Sequence, residues 1–129
     1  MFVDVWTTWL NWGPKVNPAQ VKEATDWWAD RMEKKEHRER FRAALYDILS
    51  KSRFGKQAHE DIAIQCEYDP DKVLLKALKK AGIECSGSWF SAMCLLPEKT
   101  VMWLNRNGAV TVKHGYRTST VSIRKPSLN

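Results

Sequence analysis

Val101-Met102-Trp103-Leu104-Asn105-Arg106-Asn107-Gly108-Ala109-Val110-Thr111-Val112-Lys113 reads as a β-hairpin, and it decides the fold. Two β-branched and aromatic runs, Val101–Leu104 and Ala109–Lys113, flank Asn105–Gly108. Asn-Gly favours the primed turns whose backbone twist matches the strands on either side. Met102 and Trp103 alternate in the first run, so one of the two is expected inside.

Outward from the hairpin, Thr118–Ile123 alternates and can add a last strand, leaving Arg124–Asn129 as a tail. Upstream, Trp89–Leu96 reads as a strand, and Ile83–Cys85 as a short one broken by Gly87. Asp69-Pro70-Asp71 opens a helix that buries Val73, Leu74, Ala77, Leu78 and Ala81. Lys72, Lys76, Lys79 and Lys80 fall on its outer side, and Gly82 closes it. Ile62–Tyr68 alternates as a strand, and Ser50–Glu60 is a loop pivoting on Gly55.

Asn17-Pro18-Ala19-Gln20 is a helix start with a capping residue, a proline in the first turn and a glutamine placed to close a capping box. The apolar stripe Val21, Ala24, Trp28 and Met32 follows, with Trp27 at its boundary. After a charged stretch, Glu33–Arg40, the stripe resumes at Phe41, Ala44, Leu45, Ile48 and Leu49. Residues 18–50 are therefore one helix or two that meet near 34–38. A single helix would run roughly 50 Å at 1.5 Å per residue, too long for a compact domain. Glu36 and Arg40 stand in the favourable order for an (i, i+4) pair, which supports continuity there. Residues 2–12 carry strand-type residues through about Trp9, although Trp6, Trp9 and Leu10 would also share a helical face. The order predicts one α+β domain over residues 1–129. A long N-terminal helix and a second helix pack on one face of a mostly antiparallel sheet that ends in the hairpin.

Length and composition support an ordinary globular core: 129 residues, 43% hydrophobic and 28% charged. No apolar run approaches the roughly 20 residues that span a bilayer. The first residues lack the basic start of a secretory leader, so a cytoplasmic, non-membrane protein is expected. Cys66, Cys85 and Cys94 are odd in number and form no close pair, so reduced and mostly buried thiols are expected, with no metal and no cofactor.

The net charge of +6 is unevenly spread. Residues 101–129 hold Arg106, Lys113, Arg117, Arg124 and Lys125 and no acid. A polyanion partner suits that split. Arg31, Lys34, Lys35, Arg38 and Arg42 could line a helix side, but Glu33, Glu36 and Glu39 interleave with them, and a salt-bridged solvated face is the favoured reading.

Few residues suggest reaction chemistry. Lys113-His114-Gly115-Tyr116-Arg117 resembles the His/Arg/Tyr sets that handle phosphodiesters, which makes His114 and Arg117 weak catalytic candidates. Strand alternation would put them on opposite faces unless Gly115 forms a bulge. His59-Glu60-Asp61 cannot converge on one ion from a strand and is read as a solvated loop end. Ser86-Gly87-Ser88 is too short for a phosphate loop, and Thr118, Ser119 and Thr120 have no ordered base for a triad.

The expectation is a non-enzymatic accessory binding protein. Arg106, Lys113, Arg117, Arg124 and Lys125 would engage a nucleic acid or an acidic protein that handles one, and Tyr116 or an exposed tryptophan would stack. The seven tryptophans supply the alternative, a protein–protein module, inhibitor or homodimer built on Trp6, Trp9, Trp12 and the first helix. Small size, tryptophan use and the lack of a housekeeping motif suggest an accessory protein of viral or mobile-element type. A small metal-independent ribonuclease is the third reading.

Overall fold

The computed structural model describes residues 13–55, 61–67, 69–83, 95–115 and 119–126. Helix α1 (Pro18–Asp30) is followed by α2 (Lys35–Ser50), strand β1 (Ile62–Cys66), helix α3 (Lys72–Lys80) and strands β2 (Thr100–Leu104), β3 (Val110–His114) and β4 (Val121–Arg124). The strands form one sheet in the order β1-β2-β3-β4, with every neighbouring pair antiparallel. This is the α+β architecture expected from the sequence.

The sheet's inner face follows from register. Ile64 lies opposite Met102, and Met102 opposite Val112; Leu104 lies opposite Ile62 and Val110. Except for half-buried Ile62 these side chains are buried, and they meet the helical stripes in one hydrophobic cluster. Met102 is the buried member of its pair with half-buried Trp103, as the alternation requires. Helix α1 packs on β2, β3 and β4, while α2 packs between α1 and α3. Val21, Ala24, Trp28 and Met32 of the first stripe are buried, as are Phe41, Ala44, Leu45 and Leu49 of the second and Leu74, Ala77 and Leu78 of α3; Ile48, Val73 and Ala81, also expected inside, are half-buried at the edge of the same cluster.

The long helical segment is two helices, and the break falls at residues 31–34, ahead of the region expected for it. Neither glycine nor proline causes it. Arg31 leaves the helical backbone at φ −97° and ψ 0°, and Lys34 is extended at ψ 117°. Buried Met32 plugs the corner, and the Arg38 Nε donates to its carbonyl at 2.8 Å. Across the corner the Arg42 guanidinium reaches Asp26 and, at 2.7 Å, Asp30. Folding α2 back on α1 buries both stripes, which a straight helix of about 50 Å could not do. Among the described residues Arg40 forms no ion pair with Glu36; it donates to Ala81 O at 3.4 Å.

Helix α3 starts at the Asp71 cap, whose side chain accepts from Val73 N. It ends as expected at Gly82, with φ +71°. Gly82 N donates to Lys79 O and Ile83 N to Leu78 O, both at 3.0 Å, which satisfies the last-turn carbonyls in a Schellman motif. Ile83 therefore ends a helix cap and is not in a strand, and Cys85 lies outside the described residues. The strand expected at 89–96 also lies mostly outside them; Leu95 and Leu96 are not in a strand. Arg124 belongs to β4 and not to a tail. Trp6, Trp9, Trp12 and the strand expected over residues 2–9 fall outside the described residues.

Candidate nucleic-acid interface

The hairpin turn is not of the primed type. Gly108 N donates to Asn105 O at 3.0 Å and Asn105 N to Ala109 O at 2.9 Å. Gly108 takes φ +97°, but Asn107 is not in the positive-φ region that a type I′ turn centred on Asn107-Gly108 requires. The arrangement fits a three-residue loop with a left-handed glycine.

Long-range contacts hold this longer turn. The Gln20 amide, buried under the first turn of α1, donates through Nε2 to Asn105 O at 2.7 Å and Ala109 O at 2.9 Å. Its Oε1 accepts from Asn17 N at 3.3 Å, completing the expected capping box. Asp61 accepts from Asn105 Nδ2 at 2.9 Å and from Arg106 N at 2.8 Å. Asp61 thus braces the turn, where the sequence suggested a merely solvated acid.

A second brace comes from residues 13–16, which run antiparallel to residues 52–55. Gly13 N donates to Phe54 O at 3.0 Å, Phe54 N to Pro14 O at 3.0 Å, and Val16 N to Ser52 O at 3.2 Å. The Arg53 guanidinium donates to Gly13 O at 3.2 Å, and that of Arg106 to Gly55 O at 2.5 Å. On the other side of the turn Arg124 Nε donates to Gly108 O at 3.2 Å. The fold thereby gathers Lys15, Arg53, Arg106, Arg124 and its neighbour Lys125 at one end of the molecule.

A cavity of about 360 Å³ opens there. Lys15, Asn17, Arg106 and Asn107 line it, with Pro14 and Phe54 as its apolar wall. Lys15 was not singled out in the sequence and Asn17 only as a helix cap, and no local signal would have placed either beside the hairpin.

The helical cations are arranged differently. Arg42 is held by Asp26, Asp30 and, at 3.4 Å, Glu39. Lys22 pairs with Asp26 at 2.7 Å, while Lys51 and Lys80 share Asp47 at 3.2 and 3.1 Å. The Lys22 contact and then the Arg42 contact hold the Asp26 carboxyl below its ordinary range, and Lys80 followed by Lys51 does the same for Asp47. Of the interleaved charges expected to balance one another along the first helical segment, only Arg42 and Glu39 pair among the described residues; Arg31 covers Trp27 and Arg38 donates to Met32 O instead. Lys15, Lys113 and Lys125 form no ion pair among the described residues.

Not every expected site residue joins the hairpin-end group. Lys113 pairs with Val101 at the far end of β3 and is exposed. Tyr116 and Arg117 lie outside the described residues, as do His59 and Glu60. His114 ends β3 with Nδ1 2.7 Å from Thr100 Oγ1, and its ring stands edge-on to Trp27 at 5.6 Å. The Thr100 hydroxyl also lies 3.1 Å from Pro97 O and 3.0 Å from Glu98 O. One hydroxyl proton serves one carbonyl, so the arrangement favours His114 with its proton on Nδ1, donating to Thr100. Past it, Gly115 takes φ +93°, so simple strand alternation does not carry beyond this point.

Trp27 is buried and not at the boundary: the Arg31 guanidinium covers it at 4.0 Å, and Trp28 and His114 stand against its edges. Trp28 is in the core, as its place on the stripe predicts, and Trp27 joins it there. Cys66 is fully buried, and burial, followed by Glu98, pushes its thiol up to about 12. Cys85 and Cys94 lie outside the described residues. No helix among the described residues is long and apolar enough to cross a membrane.

Compared with known proteins, the chain matches no protein-family model and no curated protein sequence.

Proposed function

We propose that this protein is a non-enzymatic accessory factor that binds the phosphate backbone of a nucleic acid through the end of its C-terminal hairpin. The observation that carries this reading is convergence. Lys15 and Arg106, from separate stretches of chain, line one open cavity at the turn, and Arg124 of β4, with Lys125 next to it in sequence, reaches the same turn through Gly108 O. Lys72, Lys76 and Lys79 are also exposed, but they lie along a single helix. Anchoring of Arg106 and Arg124 on backbone carbonyls lowers the entropy lost when a phosphate arrives. His114 is tied to Thr100 and packed on Trp27, which suits a structural strand end better than a proton shuttle.

The test is fluorescence anisotropy of labelled single-stranded oligonucleotides across a salt series. Four cations each neutralising one phosphate give a slope of log K against log salt of about −3 for a single strand. Affinity should then fall about 50-fold between 50 and 200 mM salt. Binding that ignores salt, or no binding at low salt, overturns the reading.

A further inference from the structure

We infer that the cavity at the hairpin end seats a single phosphate group, an inference that rests on the nucleic-acid reading above. The argument is the chemistry of its lining. Asn17 and Asn107 both reach it, and both have committed their side-chain oxygens elsewhere. Asn17 Oδ1 accepts from Ala19 N at 2.8 Å, and Asn107 Oδ1 accepts from Ala109 N at 3.0 Å. Each oxygen is thereby turned to the backbone, and neither NH2 group donates to a partner among the described residues. Lys15 and Arg106 contribute an ammonium and a guanidinium, which carry donors and no acceptor.

Among the described residues no carboxylate lines the cavity. Asp61, the acid nearest the turn in these contacts, is occupied by Asn105 and by the backbone of Arg106. The backbone at the start of α1 is occupied by its own capping box, so the seat does not depend on the helix end. A cavity offering donors from two cations and two oriented amides selects an oxyanion with several acceptor oxygens. At about 360 Å³ it has room for a phosphate together with part of the sugar that carries it.

The amide chemistry supplies a test that separates binding from folding. Asn17→Asp and Asn107→Asp keep the oxygen that accepts the backbone N–H, but replace the donors with a charged oxygen. Aspartate is as good a helix cap as asparagine and tolerates turns equally well. Both variants should melt close to the wild type. Inorganic phosphate is titrated calorimetrically into the full chain and into each variant, together with Lys15→Ala, whose side chain braces nothing among the described residues. The expected result is one site in the wild type and at least tenfold weaker binding in all three variants. Oligonucleotides with and without a 5′-phosphate then identify the source. A preference for the phosphorylated end marks a terminal phosphate. Equal binding of both, each weakened by Asn107→Asp, marks an internal phosphodiester.

Unchanged phosphate binding in the two aspartate variants overturns the seat, as does no phosphate binding in the wild type. If oligonucleotides still bind in that case and Lys125→Ala weakens them, the nucleic-acid reading stands without the seat. If phosphate binds and no oligonucleotide does, the seat stands and the nucleic-acid reading falls.

Discussion

Replacing Gln20 with alanine tests whether α1 holds the hairpin turn in place. The amide is 1% exposed and makes two bonds to turn carbonyls plus one back-bond to the cap residue. Neither carbonyl is orphaned by the change, because Asn105 O keeps Gly108 N and Ala109 O keeps Asn105 N. The loss is thus the net value of each bond, about 1 kcal/mol, and not a full desolvation penalty. Two such bonds and the weakened cap come to about 2.5 kcal/mol. At roughly 4 °C per kcal/mol for a chain of this length, Tm should fall by about 10 °C. Urea denaturation followed by tryptophan fluorescence should show a lower midpoint with an unchanged slope. Gln20→Glu sharpens the test, since it keeps the cap acceptor but turns a carboxylate toward two carbonyl oxygens. Its folded-state pKa is raised, so the folded form binds more protons. Stability should therefore fall as pH rises above about 4.3, the ordinary glutamate value. A Gln20→Ala variant within 0.5 kcal/mol of wild type, or a Gln20→Glu variant indifferent to pH, would refute the tie between helix and turn.

Three further outcomes follow from the same contacts. With Cys85 and Cys94 replaced by serine, Cys66 should be silent to a thiol reagent at pH 8 in the native state and react only on unfolding; rapid labelling of folded protein contradicts its burial. Gly13→Ala should destabilise by about 2 kcal/mol, because the added methyl would lie 2.4 Å from Gly55 O and 2.8 Å from Phe54 O, both backbone atoms; an unchanged Tm would contradict that close approach. Asp26 has a lowered pKa, so its contribution to stability is present above about pH 4 and is lost as pH falls through its folded value; Asp26→Asn should flatten the acid limb of the stability curve, and an unaltered limb would show that Lys22 and Arg42 do not hold the charge.

Where local chemistry decided the outcome, the sequence was a good guide. The Asn17 box, the Gly82 cap and the apolar stripes of all three helices depend on residues within a few positions of one another. The four-residue spacing of buried positions identified α1 and α2 as helices but not their break. At that break Arg42 meets Asp26 and Asp30 at separations of 16 and 12 residues, contacts that no local pattern announces. Asn107-Gly108 marked a turn correctly, yet the turn that forms is held by Gln20 and Asp61, which lie 85 and 44 residues from Asn105. The same limit applied to the candidate site. Arg106, Arg124 and Lys125 stood out as charges in an acid-free stretch, whereas Lys15 and Asn17 join them only through the pairing of residues 13–16 with 52–55. Lys113 stood out equally, and strand register carries it to the opposite end of β3.

Location of charge, as distinct from its amount, is the central claim, and a matched pair of double variants tests it most directly. Lys15→Ala with Lys125→Ala removes two charges from the hairpin end, and Lys76→Ala with Lys79→Ala removes two from α3. Both leave the same net charge, and all four lysines are exposed. Anisotropy titrations of one oligonucleotide at several salt concentrations should show the first pair losing about 1.4 from the salt slope, with the second close to wild type. Equal losses from both pairs, or a larger loss from α3, would contradict the assignment of binding to the hairpin end.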